Sequence, residues 1–430
     1  MTNRREFFKF VIPSVIAFAL SGVYAIVDGF FVGNTIGDAG LSAINIAYPI
    51  VALIQSVGTG IGMGGAVYYS INEAEGNRKK ANKFIAVSWW LLLAASAVFS
   101  LLTYFSARPV LSLLGASDTV LEYAVEYIEI IALGAALQIF GTGLVPFIRN
   151  YGSSFWAMAS MLGGFVTNVV LDYLLVWVFD QGMKGAALAT VIGQGVTFLI
   201  AVIYAVVKKR FFLRIESKEF GELCKSVFKV GLAPFGLSLT PNISLILINR
   251  FSASYGGEKA IATYACISYI ICIIYLILQG VGDGCQPLMS RYYGEKKSRN
   301  LSEVKRMAYI FAVFLALVGC VAMFLGRFHV GKLFGSSEAV NAETAKIIPI
   351  FLISVPFVAV TRISTAGFYA TEKAALSYIL TFVEPILMLI FMLILPRLFG
   401  GQIMIWWSTV LARIFSALLA LLLTRLNKTA

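Results

Sequence analysis

The stretches PSVIAFALSGVYAIVD, residues 13–28, and PFGLSLTPNISLILIN, residues 234–249, decide the fold. Each opens on a proline and, fifteen residues later inside an apolar segment, reaches a polar group, Asp28 in the first and Asn249 in the second. The correspondence continues downstream. Gly60, Gly62 and Gly64 answer Gly280, Gly282 and Gly284 at an offset of 220, and Ser70 answers Ser290 at the same offset. Two related apolar halves place a path between them. The halves differ where the first keeps a carboxylate and the second an amide.

Composition sets the solvent. Of 430 residues 59% are hydrophobic and 13% charged, with a mean hydropathy of +0.85, against about 25% charged residues in a soluble domain. That much apolar surface needs lipid, so the chain reads as an all-α integral membrane protein. Twelve apolar segments reach the roughly 20 residues that cross a bilayer, near 11–33, 43–70, 84–106, 123–148, 155–178, 185–207, 230–250, 260–289, 307–326, 345–369, 375–396 and 402–424. They predict two pseudo-symmetric six-helix lobes, 1–207 and 230–430, joined by a basic linker, 208–229. Phe211 to Phe228 has the pattern of an interfacial helix.

Lys and Arg orient the spans. With both termini inside, 24 fall on inner segments, Arg149 and Lys428 among them, and 8 outside, while Arg362 and Arg413 lie within spans. Short loops with this asymmetry face the cytoplasm. The net charge of +12 then needs no nucleic-acid partner. The expected location is a bacterial plasma (inner) membrane, the bacterial origin following from the short loops and termini. Cys224, Cys266, Cys272, Cys285 and Cys320 show no metal-ligand spacing, and read as small apolar side chains. His329 is placed in an external loop. No span carries a His, a metal-ligand pair or a nucleophile motif, which argues against an intramembrane enzyme, and no cofactor is expected.

A charge at mid-bilayer costs about 2.5–3.5 kcal/mol even on lenient scales, so each interior charge has to face protein, water or a partner. Asp28 lies four turns past Pro13, whose missing N–H permits a bend. Asn168 and Asp172 are four apart and share a helix face, and Thr190 in the next span can add a hydroxyl. Carboxylate, amide and hydroxyl oxygens suit Na⁺ or a proton relay. If Asp28 and Asp172 converge, both do not ionise together, and the pair can exchange a proton. Glu384 is expected to pair with Arg362 or to meet a cationic substrate, and Asp283 to serve as an ion-pair or cavity residue. The glycines of spans 2 and 8 let helix backbones approach closely. Trp406 and Trp407 read as an interfacial belt.

The run from Pro13 through Tyr24 and Asp28-Gly29-Phe30-Phe31-Val32-Gly33 to Ala43 resembles the first span of the MATE (multidrug and toxic compound extrusion) transporters. So do Asn168 to Asp172, Gly182 to Thr190, Gly231 to Pro234, Gly257 to Ala262, Gln286-Pro287 and Tyr293-Gly294. The resemblance covers the whole chain. It implies twelve helices around a central cavity, a monomer, and alternating-access antiport of small organic, often cationic, molecules against H⁺ or Na⁺. In the branch with an N-lobe cation site, the matching positions are Asp28, Asn168, Asp172 and Thr190, with Pro13 as the bending proline and Tyr24 and Met161 on the cavity. Asn249, Asp283 and Glu384 complete the candidate cavity residues. Asn242 stands where another branch has a C-lobe acid, which favours coupling in the N-lobe. A lipid-linked glycan flippase and a narrow metabolite exporter are the alternatives.

Overall fold

The computed structural model describes residues 4–333 and 336–427; Lys428 and the outermost three residues of each expected lobe lie outside them. The described residues form helices: α1 (Arg4–Thr35), α2 (Asp38–Ala74), α3 (Arg78–Leu113), α4 (Asp118–Leu133), α5 (Ala135–Asn150), α6 (Ser154–Leu171) continued by a π-helical stretch (Asp172–Val178), α7 (Gly182–Val207), α8 (Ser217–Gly294), α9 (Ser298–Leu333), α10 (Glu338–Tyr369), α11 (Ala374–Phe399) and α12 (Ile403–Leu426). Two of these boundaries differ from the count of spans, each for a local reason. α4 and α5 form one crossing bent by 61° at Gly134, where a Cβ would strike Val191. α8 is two crossings, because Gly257 with φ 64° and ψ −160° breaks it. Counted this way, twelve crossings form two lobes, α1–α7 and α8–α12.

The repeat is visible in how the lobes meet. In α2, a Cβ on Gly60 would lie 3.0 Å from the Gly231 carbonyl oxygen, and one on Gly64 would overlap the Val227 carbonyl, both on the first arm of α8. In the second arm of α8, a Cβ on Gly280 would lie 2.8 Å from Val15 Cα and one on Gly284 2.9 Å from Val11 Cα, both on α1. The second crossing of each half thus lies backbone to backbone on the first crossing of the other. Gly58 and Gly62 do the same inside the first lobe against α5, and Gly65 makes room for the Ser88 and Phe147 side chains of α3 and α5. Removing side chains is how helices pack in lipid, where hydrophobic burial between helices gives no drive.

Polar ties across the lobes gather at the basic end of the bundle, where α2, α5, α7, α8 and α10 finish. Arg291 Nη2 donates to Glu6 at 2.8 Å and the Tyr292 hydroxyl donates to the same carboxylate at 3.1 Å. Asn150 and Gln286 exchange amide hydrogen bonds of 2.8 and 3.2 Å. Towards the opposite end, Tyr269 reaches Asn45 at 3.5 Å although both side chains are exposed. Exposed residues that meet across the lobes line a cleft between them.

Several expectations change. Residues 210–216 are not helical, and helix starts at Ser217 and runs directly into the seventh crossing. A separate interfacial helix over 211–228 is therefore replaced by an extended segment pinned by Trp90 Nε1 on the Leu213 carbonyl. His329 is an exposed residue of α9 and not of a loop. Trp406 is 2% exposed, with its ring 5.9 Å from Tyr264 and 5.6 Å from Phe351; it fills the second lobe's core and is no interfacial anchor. The five cysteines are free thiols.

Candidate functional site

An aromatic seam lays α1 on α6. Tyr24 stacks on Phe165 at 5.3 Å and 9°, Phe31 meets Tyr173 edge-on at 6.4 Å, and Phe30 and Phe31 both contact Trp177. Asp28 sits between Tyr24 and Phe31 at helical spacing, so the seam turns it inward. On α6 the same geometry presents Asn168 and Asp172.

α7 closes on α6 through glycine. A Cβ on Gly193 would lie 2.9 Å from the Asn168 Cβ, and one on Gly164 2.7 Å from the Gly193 carbonyl oxygen. Thr190, one turn before Gly193, therefore arrives at Asn168, whose Nδ2 donates to the Thr190 hydroxyl at 3.5 Å. The π-helical stretch begins at Asp172. Such a widened turn often marks a functional site.

The four residues converge as one site. Asp28 and Asp172 interact at side-chain hydrogen-bonding range. Their exposures are 9% and 0%, with Asn168 and Thr190 nearly as enclosed. Tyr24 and Tyr127 bring their hydroxyls toward Thr190. Among the described residues, Asp28 Oδ1, Asn168 Oδ1 and both Asp172 carboxylate oxygens are buried without a hydrogen-bond donor. An unpaired buried acceptor costs about 1–3 kcal/mol, and a charged one more. Four converging hard oxygens with too few donors fit a proton or a Na⁺ ion. Groups of three or more His, Cys, Asp or Glu that could hold a metal are absent among the described residues.

The other candidates lie elsewhere. α1 runs unbroken through Pro13. Met161 is half-buried and packs on the core from α6. Asn249 is half-buried on the first arm of α8, opposite in the repeat to Asp28. Glu384 pairs with Arg413 at 3.1 Å instead of with Arg362. Arg413 also donates to Ser354 at 3.3 Å and lies over the Tyr275 ring at 4.9 Å, so α12 supplies the cation that α10 was expected to supply.

Asp283 takes Gln279 at 2.8 Å and the Tyr369 hydroxyl at 3.1 Å, and pairs with Arg149 at 3.5 Å. Arg149, assigned to an inner loop by its sequence, is thus a buried residue at the end of α5 that ties the lobes together. Tyr127 is the other residue that sequence reading missed; nothing in its surroundings separates it from the other aromatic residues of the spans. Removing one partner of a buried ion pair costs about 3–5 kcal/mol, while removing both often costs little. Asp283→Asn is therefore expected to lower the thermal unfolding temperature in detergent more than the double change Arg149→Gln with Asp283→Asn. Equal losses would mean that the pair contributes nothing by charge.

Comparison with known proteins bears on the family and the fold. The MatE family model matches residues 13–174 and 236–394. The multidrug export protein MepA of Staphylococcus saprophyticus is 26% identical over 420 residues, covering 97% of this chain and 92% of its own. MepA of Staphylococcus haemolyticus is 25% identical over 414 residues, 96% of this chain and 91% of its own. Among solved structures, a MOP superfamily transporter from Pyrococcus furiosus superposes with a TM-score of 0.92 at 21% identity, over 99% of this chain and 96% of that one. At that identity the likeness speaks for the fold.

Proposed function

Because this chain belongs to the MatE family, we propose that it exports small organic compounds across a bacterial plasma membrane by antiport against H⁺ or Na⁺. The observation that carries the coupling half of this reading is the Asp28–Asn168–Asp172–Thr190 cluster with its unpartnered buried oxygens. The export half rests on family membership and on the multidrug export named for MepA relatives that match nearly the full chain. Organic, often cationic, molecules are the proposed substrates, with Tyr24 and Met161 on the cavity and Asn249, Asp283 and Glu384 as further candidate cavity residues. The protein acts as a monomer, with both termini in the cytoplasm and residues 208–229 as the joint between lobes.

The mechanism follows from differential affinity, the only way one ligand can drive another. A cation at the acid pair cancels one of the two negative charges of Asp28 and Asp172 and lets α1 close on α6 and α7. Its release leaves two carboxylates facing each other, and repulsion loosens the same contact. Pro13 leaves the Lys9 carbonyl without its helical N–H, so α1 bends there at low cost. The polar ties at the basic end support a state closed to the cytoplasm, from which an exported compound leaves on the other side.

Cells loaded with ethidium test this. Wild-type protein is expected to empty them several-fold faster than cells lacking it. A protonophore stops this if H⁺ is the coupling ion, and removal of external Na⁺ stops it if Na⁺ is. Efflux indifferent to both would sink the antiport reading. Failure to move any of a panel of cationic dyes would shift the reading to a narrow metabolite exporter or a lipid flippase.

A further inference from the structure

With Arg149 of α5 entering it, the interior of the second lobe holds an imbalance of charge that the side chains around it do not correct. Where α5, α8, α10, α11 and α12 come together, three guanidinium groups share two carboxylates. Arg413 has Glu384 and Arg149 has Asp283. Arg362 has neither within 4.0 Å among the described residues. Its Nη1 donates to the Leu237 carbonyl at 3.3 Å and to Gln279 Oε1 at 3.2 Å. Both partners are neutral, and Gln279 is itself held by Asp283. A guanidinium has five N–H donors and no acceptor, so this one retains donors to offer. An unneutralised charge at membrane depth implies a partner.

A second observation points to the same missing partner. The Tyr275 hydroxyl, one turn from Gln279 on the same face of α8, is buried with no hydrogen-bond partner. It lies in the field of Arg413, Glu384 and Arg362, beside the Ser354 hydroxyl. A spare guanidinium and a spare hydroxyl together call for an anionic oxygen. The place is reachable. Cys272, the next residue outward on that face, is exposed and lies near both Arg362 and Tyr48 of α2. Tyr48 is 46% exposed, beside the cleft marked by Tyr269 and Asn45.

We propose that Arg362 and the Tyr275 hydroxyl form a subsite in the second lobe for an oxyanion carried by the transported molecule, a carboxylate above all. The substrates are then zwitterions and organic acids with an apolar body, in preference to bare cations. This rests on the export reading above and narrows its substrate class. The two lobes divide the labour: the first holds the coupling cation at paired acids, and the second holds the acid group of the cargo.

The test compares two dyes on the full chain in lipid nanodiscs, by fluorescence anisotropy against empty nanodiscs. Rhodamine B is a zwitterion with a free carboxylate, and its ethyl ester is the same ring system without that charge. Wild-type protein is expected to bind rhodamine B about 10-fold more tightly than the ester, as befits a hydrogen-bonded charge. Arg362→Gln should erase the preference by weakening rhodamine B alone. Tyr275→Phe keeps the ring and removes one hydroxyl; it should weaken rhodamine B roughly 3-fold and answers for any folding defect of the first variant. Equal or tighter binding of the ester by wild type overturns the proposal and leaves the export reading standing, with an inorganic anion as the partner of Arg362. Equal weakening of both dyes by Arg362→Gln also overturns it, making Arg362 a structural cation. Binding of neither dye by a protein that still exports ethidium also overturns the proposal and leaves the export reading standing.

Discussion

Asp172→Asn protein is expected to reach the membrane at the wild-type level and to lose coupled export. The change is nearly isosteric, so the packing of α6 on α1 and α7 survives. What disappears is the ability to take up and release a positive charge at a position with 0% exposure. Coupling free energies of 1–3 kcal/mol correspond to about 5- to 150-fold in relative affinity, so efflux of ethidium should fall at least ~5-fold. Asp28→Asn should fall as far. The double variant should be no worse than either single, since the two acids act as a unit and their losses do not add. Rates from loaded cells, normalised to membrane-inserted protein, decide the matter. Asp172→Asn with an undiminished rate would move the coupling site elsewhere.

The second large effect is structural. A Cβ on Gly62 would lie 2.6 Å from the Gly143 Cα and closer still to its carbonyl oxygen. No flexible side chain can give way there, because both surfaces are backbone. Gly62→Leu must push α2 off α5, and overpacking of this sort costs about 1–3 kcal/mol or more. The variant is expected to be recovered in low yield and to aggregate on heating well below the wild type. Gly326→Ala is the matched control: nothing lies within 4 Å of its Cβ position in α9, and Ala in an exposed helix gains about 0.5–1 kcal/mol over Gly. Size-exclusion profiles after a temperature series separate the two. A Gly62→Leu protein as heat-stable as wild type would mean that α2 and α5 are not in backbone contact.

Periodicity and composition carried most of the architecture. Twelve crossings, the internal repeat and the close glycine contacts follow from spacing along the chain, because a helix in lipid must satisfy its own backbone and has few ways to pack. Asn168, Asp172 and Thr190 were legible for the same reason: four residues make a helix turn, and the next crossing is an immediate neighbour. Pairing between distant helices was not legible. Glu384 could have met Arg362 or Arg413, and only the way α12 sits against α11 selects the latter. Arg149 looked like an inner-loop charge because it closes a span, yet the bend at Gly134 and the approach of α8 draw it inside. Trp406 looked interfacial by its place near a helix end; the core beside Tyr264 and Phe351 claimed it.

The way the chain passes from α7 to α8 limits how the lobes can travel. Arg210 is held by Glu73 at 3.3 Å, the Leu213 carbonyl by Trp90, and Glu219 by Lys83. All three anchors belong to the first lobe. Ten residues on, the Lys229 carbonyl accepts the Tyr378 hydroxyl of α11, in the second lobe. The joint therefore has no slack. It is a door whose hinge leaf is screwed to the frame at one edge and to the panel at the other, and the metal between is about 15 Å of helix at 1.5 Å per residue. If the lobes swing in transport as proposed, the turns from Glu219 to Lys229 must bend with them, together with the glycine contacts of Gly60 and Gly64 on the same arm.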